Sequence, residues 1–241
     1  MSFSDLTNNA DDRSAAPFDV LRQFARRREM RPPVEQCDLC SAEIGPHHRH
    51  LLELSRRTLI CVCMPCSILF NDPGAGQGKY RLVSSRFLKL ADFQMTDEQW
   101  DDLMIPVNMA YIFHNTAAQR MMAFYPSPAG AMESSLALEG WDALVSSNPI
   151  LQDLEPDVEA LLINRVKNRE GKYYREHYIV PIDVCYELVG LIRLKWKGLS
   201  GGEEVWIAIE DFFARLRSRA VSVEGSPADA LSANNPPWRR G

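Results

Sequence analysis

Four cysteines stand in two pairs, Cys37-Asp38-Leu39-Cys40 and Cys63-Met64-Pro65-Cys66, with twenty-two residues between the pairs. A two-residue gap lets a tight turn aim both thiolates of a pair at one ion. Two such pairs at this separation match a tetrahedral four-sulfur site. The chain between them has the form needed to bring the pairs together. His50, Leu52 and Leu54 alternate along one strand, Ser55-Arg56-Arg57 can turn, and Thr58–Cys63 can return as a second strand. The spacing therefore predicts a zinc-ribbon-like module with Cys37, Cys40, Cys63 and Cys66 as metal ligands. Zinc is expected, with iron as the alternative, because a four-thiolate set binds either ion. Rubredoxin-like iron knuckles carry glycine after the second cysteine, where backbone amides reach the sulfurs. Ser41 and Ser67 occupy those positions here.

Two residues complicate the ligand set. On a 58–63 strand, Cys61 points to the same face as Cys63. It is read as a buried thiol beside the metal, an alternative ligand, or the fourth ligand should one of the others be free. His47, His48 and His50 add imidazoles, and His50 is the substitute ligand of choice. With four cysteines at hand, the three histidines read as a solvated basic loop. Cys185 stands alone on an apolar helix face and reads as core.

Positioning this centre falls to a chain of 241 residues, of which 46% are hydrophobic and 24% charged. These are the proportions of an ordinary globular protein. The net charge of -5 argues against a surface built throughout for nucleic acid or an anionic membrane. No apolar run is long enough for a membrane span, and no signal peptide is visible, so a cytoplasmic protein is expected. In a reducing compartment, clustered cysteines suggest metal or redox chemistry before disulfides.

The organisation read from the sequence is a polar tail over 1–18, a short basic helical segment over 19–33, and the cysteine module over 34–70. A linker over 71–79, an α+β domain over 80–220 and a second tail over 221–241 follow. Within the fifth segment, Thr96-Asp97-Glu98-Gln99 predicts a capped helix start. The runs 107–114 and 120–125 predict a hairpin. Residues 138–147 predict a helix. The apolar run 158–166 fits a strand or a helix, and a strand paired with 173–180 is preferred. Helices are expected over 183–196 and 201–219, the second capped by Ser200 with Val205, Ile209, Phe212 and Leu216 on its apolar face. The fold class is α+β, with a mainly antiparallel sheet and packed helices.

Other motifs do not hold. Gly74-Ala75-Gly76-Gln77-Gly78-Lys79 resembles a phosphate loop, but Pro73 replaces its first glycine and Tyr80 its Ser/Thr. Ser127 lacks a nucleophile elbow. Glu176-His177 and Asp183 can move protons in principle, but an isolated Glu-His pair reads as structural. Glu133, Glu155, Asp157 and Glu159 show no catalytic spacing. No catalytic residue is assigned, and the reading leans away from an enzyme. Arginines 22, 26, 27, 28 and 31, with Arg49, Arg56 and Arg57 in the ribbon, could contact phosphates. Interspersed acids and the lack of an aromatic platform make a solvated or protein-docking face the better reading.

The strings HRHLLEL (48–54), Cys61-x-Cys63-x-x-Cys66, YRLV (80–83), FYPSPAGAMES (124–134), NPILQDLEPDVEALLINR (148–165), HYIVPIDVCYELVGLIR (177–193) and GLSGGEEVW (198–206) carry a resemblance. Over roughly 35–220 the chain resembles an uncharacterised bacterial family encoded alongside uptake [NiFe]-hydrogenase and maturation genes. That resemblance implies an accessory protein whose partner is a hydrogenase subunit or maturation factor. Three functions follow in order: a metal-stapled accessory protein, a rubredoxin-like electron carrier, and a zinc-ribbon nucleic-acid regulator.

Overall fold

A computed structural model of the chain describes residues 34–134, 138–167, 171 and 173–224, and the described residues from Gln36 onward belong to one compact unit. The tail over 1–18, the basic segment over 19–33 with its five arginines, and most of the 221–241 tail lie outside the described residues.

The cysteine module begins as a hairpin of β1 (Arg49–Glu53) and β2 (Thr58–Val62), turned through Arg57 at φ 53°. The return strand stops one residue earlier than expected. Cys63 leaves it and heads helix α1 (Met64–Asn71), because Pro65 sits in the first turn. Proline cannot donate to a ladder, and its fixed φ suits a helix start. The 71–79 stretch folds as a single helical turn, Pro73–Gly76, capped by Asp72 Oδ1 from the amides of Gly74 and Ala75. Gly76 is required there, since a Cβ would lie 2.2 Å from the Phe70 carbonyl oxygen. The turn delivers β3 (Tyr80–Leu82) to the free edge of β1, completing a three-stranded sheet ordered β2-β1-β3.

The second sheet has seven strands. Beyond β4 (Leu88–Leu90), β5 (Met109–Asn115), β6 (Arg120–Ser127) and β7 (Gly130–Ser134) form an antiparallel meander. Strands β8 (Glu159–Asn164) and β9 (Glu176–Pro181) pair antiparallel, and β10 (Val221–Val223) closes the order β10-β4-β9-β8-β5-β6-β7. Only β10 with β4 is parallel. The tail read from 221 thus starts as an edge strand, with Val223 buried in the core.

Helices cover both faces. Met109, Tyr111 and Phe113 of β5 face α4 (Ile182–Lys195) and α5 (Gly202–Arg219). Ala110 and Ile112 face the other side, with Trp100 of α2 (Asp97–Asp101) and Trp141 and Leu144 of α3 (Leu138–Ser147). This double coverage explains the unbroken apolar run of β8, whose six residues are all buried. The α2 start has both hydrogen bonds of a capping box, Gln99 N to Thr96 Oγ1 at 3.1 Å and Thr96 N to Gln99 Oε1 at 2.9 Å. The α5 start differs from expectation. Its N-cap is Gly201 at φ 88°, not Ser200, and no side chain caps it. A Cβ at Gly201 would lie 2.8 Å from Val205 Cγ1, so the tight entry demands glycine.

The hairpin's alternation joins the two sheets. Leu52 points into the core of the large sheet, with Leu54 and Leu59 packed beside it. Leu51 and Val62 point the other way, into a small core with Cys37, Ile44 and Cys66.

Candidate metal centre

Each half of the cysteine set has its own local support. Cys37 and Cys40 lie on a turn closed by Ser41 N to Cys37 O at 2.8 Å and Cys37 N to Ala42 O at 2.8 Å. Ser41 takes φ 60°, the left-handed conformation expected of a glycine. Asp38 ties this turn to β2: its amide donates to Cys61 O at 2.8 Å, and its carboxylate accepts from Cys61 N at 2.6 Å. Cys63 is the N-cap of α1 and Cys66 lies in its first turn, so the second pair sits at a helix N-terminus.

The hairpin brings these pieces together. The four sulfurs of Cys37, Cys40, Cys63 and Cys66 lie within 4.8 Å of one another, and those of Cys40 and Cys63 are 3.6 Å apart. A zinc ion with Zn–S near 2.3 Å would hold tetrahedral sulfurs about 3.8 Å apart. The four sulfurs are close enough to share one metal ion, and all six cysteines are free thiols. Cys37 and Cys66 are buried, Cys63 is half-buried and Cys40 is exposed, so the centre sits at the rim of its small core.

The electrostatics of the metal-free set are uneven. Burial pushes the Cys37 thiol up, but the amides of Cys63, Leu39 and Cys40 donate to its sulfur and bring it down to about 6. Burial raises Cys66, and the thiols of Cys63, Cys40 and Cys37 raise it further. At Cys40 the amide of Ala42 favours the thiolate, yet the thiols of Cys37 and Cys63 leave it raised. Four thiolates cannot coexist at this spacing without a cation. A dication removes that repulsion, and its binding releases protons.

The remaining sequence candidates fall differently. Cys61 and His50 fall outside the four-cysteine group. They are cross-strand partners on β1 and β2, and they form a second group with His48, also within 4.8 Å. Strand β2 ends at Val62, and Cys63 heads the helix instead of continuing the strand beyond Cys61. His47 is exposed, as a solvated loop predicts, but His48 and His50 are half-buried. The sequence signal for this grouping was the alternation of 48, 50 and 52, which places both imidazoles on the face that Leu52 buries.

Asp183, at the start of α4, hydrogen-bonds His50. Glu176 is held by Asn164 and Arg217, and His177 stacks on Phe93 at 4.3 Å. Asp157 accepts from the amide and hydroxyl of Thr116, and Glu133 pairs with Arg120. Cys185 is fully buried in the core between sheet and helices.

The residue range recognised by a family model spans all of these features. The chain belongs to the family of unknown function DUF5947. Its model matches residues 36–220, from one residue before Cys37 to the end of α5. The DUF5947 region thus contains the four-cysteine centre, the three-stranded sheet, strands β4 to β9 of the larger sheet and all five helices labelled above. No curated protein and no solved structure matches the chain. Among the described residues, no helix is long and apolar enough to cross a membrane.

Proposed function

We propose that this protein is a zinc-binding accessory protein of the cytoplasm, in which Cys37, Cys40, Cys63 and Cys66 grip the metal that folds a docking module. The convergence of four free sulfurs within 4.8 Å carries this reading. A module of this size has little core of its own: five buried residues, two of them cysteines. Metal binding would supply the missing folding free energy. The helix that the second pair fixes leaves Met64, Ile68 and Leu69 exposed, which supports a protein partner for the module. The resemblance of its sequence strings to hydrogenase-associated proteins makes that partner a [NiFe]-hydrogenase subunit or maturation factor.

The rubredoxin-like iron reading keeps one specific support. Ser41 adopts the glycine-like conformation, and amides reach the Cys37 sulfur. Against it, the second pair lies on a helix, so the site lacks two equivalent knuckles. The nucleic-acid reading loses one of its ribbon cations, since Arg57 is engaged with Tyr186 and Phe113.

Affinity purification of the full chain from native cells tests the proposal. We expect co-purification of a hydrogenase subunit or maturation factor, lost in Cys40→Ser, and a colourless protein containing zinc. A red, reducible sample would favour iron. Failure to enrich any such partner would remove the accessory role.

A further inference from the structure

We propose that His48, His50 and Cys61 form a second metal site, distinct from the four-sulfur centre, that binds a borderline divalent cation such as Zn²⁺. The inference does not rest on the accessory role or on the metal held by the other cysteines.

The three ligand atoms lie within 4.8 Å of one another. A zinc site of two imidazoles and one thiolate holds its donors about 3.3–3.7 Å apart. Small side-chain rotations cover the difference. The residues arrive together for a structural reason. His50 and Cys61 are directly opposed across the hairpin, and His48 lies just ahead of β1, two residues before His50. The two imidazoles meet edge to face at 4.8 Å.

Both imidazoles are turned the way metal ligands are turned. His48 Nδ1 lies 2.9 Å from the Gly45 carbonyl oxygen. A carbonyl only accepts, so Nδ1 carries the proton and the neutral ring bears its lone pair on Nε2. His50 Nδ1 lies 2.8 Å from Asp183 Oδ2, which fixes the same tautomer. A carboxylate behind a histidine is the usual arrangement that orients a ligating ring and raises its basicity. Asp183 Oδ1 is itself buried and accepts no hydrogen bond among the described residues. A cation on the histidine that Asp183 orients would offset the cost of that buried oxygen.

The ligand set also selects the metal. Two imidazoles and a thiolate suit zinc or its neighbours and exclude Mg²⁺ and Ca²⁺, which take oxygen. Cys61 binds as thiolate, and its proton passes to solvent. Structural zinc sites fill four positions with protein, and this one fills three. His48 and His50 line a cavity of about 910 Å³, together with Cys63, Asp183 and Arg219. Water or a small ligand from that cavity can complete the coordination.

Metal stoichiometry with Zn²⁺, and the absorption of the Co²⁺-substituted full chain, test the site. The wild type is expected to bind two equivalents. Cys61→Ser and His48→Ala should each bind one and keep the absorption of a four-thiolate Co²⁺ centre. Asp183→Asn should retain the second site with roughly 10- to 100-fold weaker affinity. A single equivalent in the wild type, or two equivalents retained in both Cys61→Ser and His48→Ala, would overturn the proposal. Circular dichroism matching the wild type in either variant shows that the loss is not unfolding.

Discussion

Asp183 Oδ2 and His50 Nδ1 meet at 2.8 Å, joining the first turn of α4 to strand β1 across 133 positions of sequence. Two further contacts seat the hairpin on the large sheet. Leu52 is buried in the main core, and the Arg57 guanidinium lies 4.2 Å from the Phe113 ring centroid while donating to Tyr186 Oη at 3.2 Å. The cysteine module is therefore packed against the large sheet.

Arg57→Ala removes both the ring contact and the hydrogen bond. The expected loss is about 1–2 kcal/mol, part electrostatic and part packing by the side-chain stem. Urea denaturation measures it. An unchanged midpoint would mean that the apolar contacts of Leu52 and its neighbours and the Asp183–His50 hydrogen bond seat the hairpin without Arg57.

Glu159 and Arg86 form a buried ion pair, with Nε to Oε1 at 2.9 Å and Nη2 to Oε2 at 2.5 Å. Ser84 Oγ and the Glu155 amide supply further donors to the carboxylate. Removing one member leaves the other charge buried and unpaired. Glu159→Ala is expected to cost about 3–5 kcal/mol. A loss under about 1 kcal/mol on the same denaturation curves would show that water reaches the site.

His177 sits buried on β9, and burial first, then Arg165 and Arg175, lower it to about 4 from an ordinary 6.5. The fold prefers the neutral ring, so this contribution is complete above pH 6.5 and is lost as pH falls towards 4. Its size is on the order of 3 kcal/mol. The thermal midpoint should drop over that window in the wild type and drop less in His177→Phe. Parallel pH profiles for the two proteins would assign the acid sensitivity elsewhere.

How far the sequence foretold these features depends on the interaction behind each. The capping box at Thr96 was readable because all its partners lie within four residues. The hairpin of β5 and β6 was readable from two apolar runs around a polar turn. The run at 158–166 was ambiguous because both faces of the sheet are covered, which erases the two-residue alternation. Capping chemistry at Ser200 is visible in sequence, whereas the Val205 side chain that crowds Gly201 is not. The four-cysteine set was legible from spacing alone. The end of β2 before Cys63 has one signal in the sequence, Pro65, whose place in the first turn of α1 stops the strand. Asp183 as the support of His50 had no local signal, since its partner lies in another element of the fold.

If metal staples the small core, a chelator should act locally. Hydrogen exchange after treatment with a strong chelator is expected to rise across 37–70. Exchange in β5, β8 and β9, which lie in the centre of the large sheet, should hardly change. A uniform rise across both sheets would mean that they unfold as one cooperative unit.

Elemental analysis of the purified full chain beside Cys40→Ser tests the central claim most directly. The account predicts that the substitution lowers the zinc content by at least one equivalent per chain and exposes the 37–70 region to protease. Equal metal content and equal protease resistance in the two proteins would contradict it.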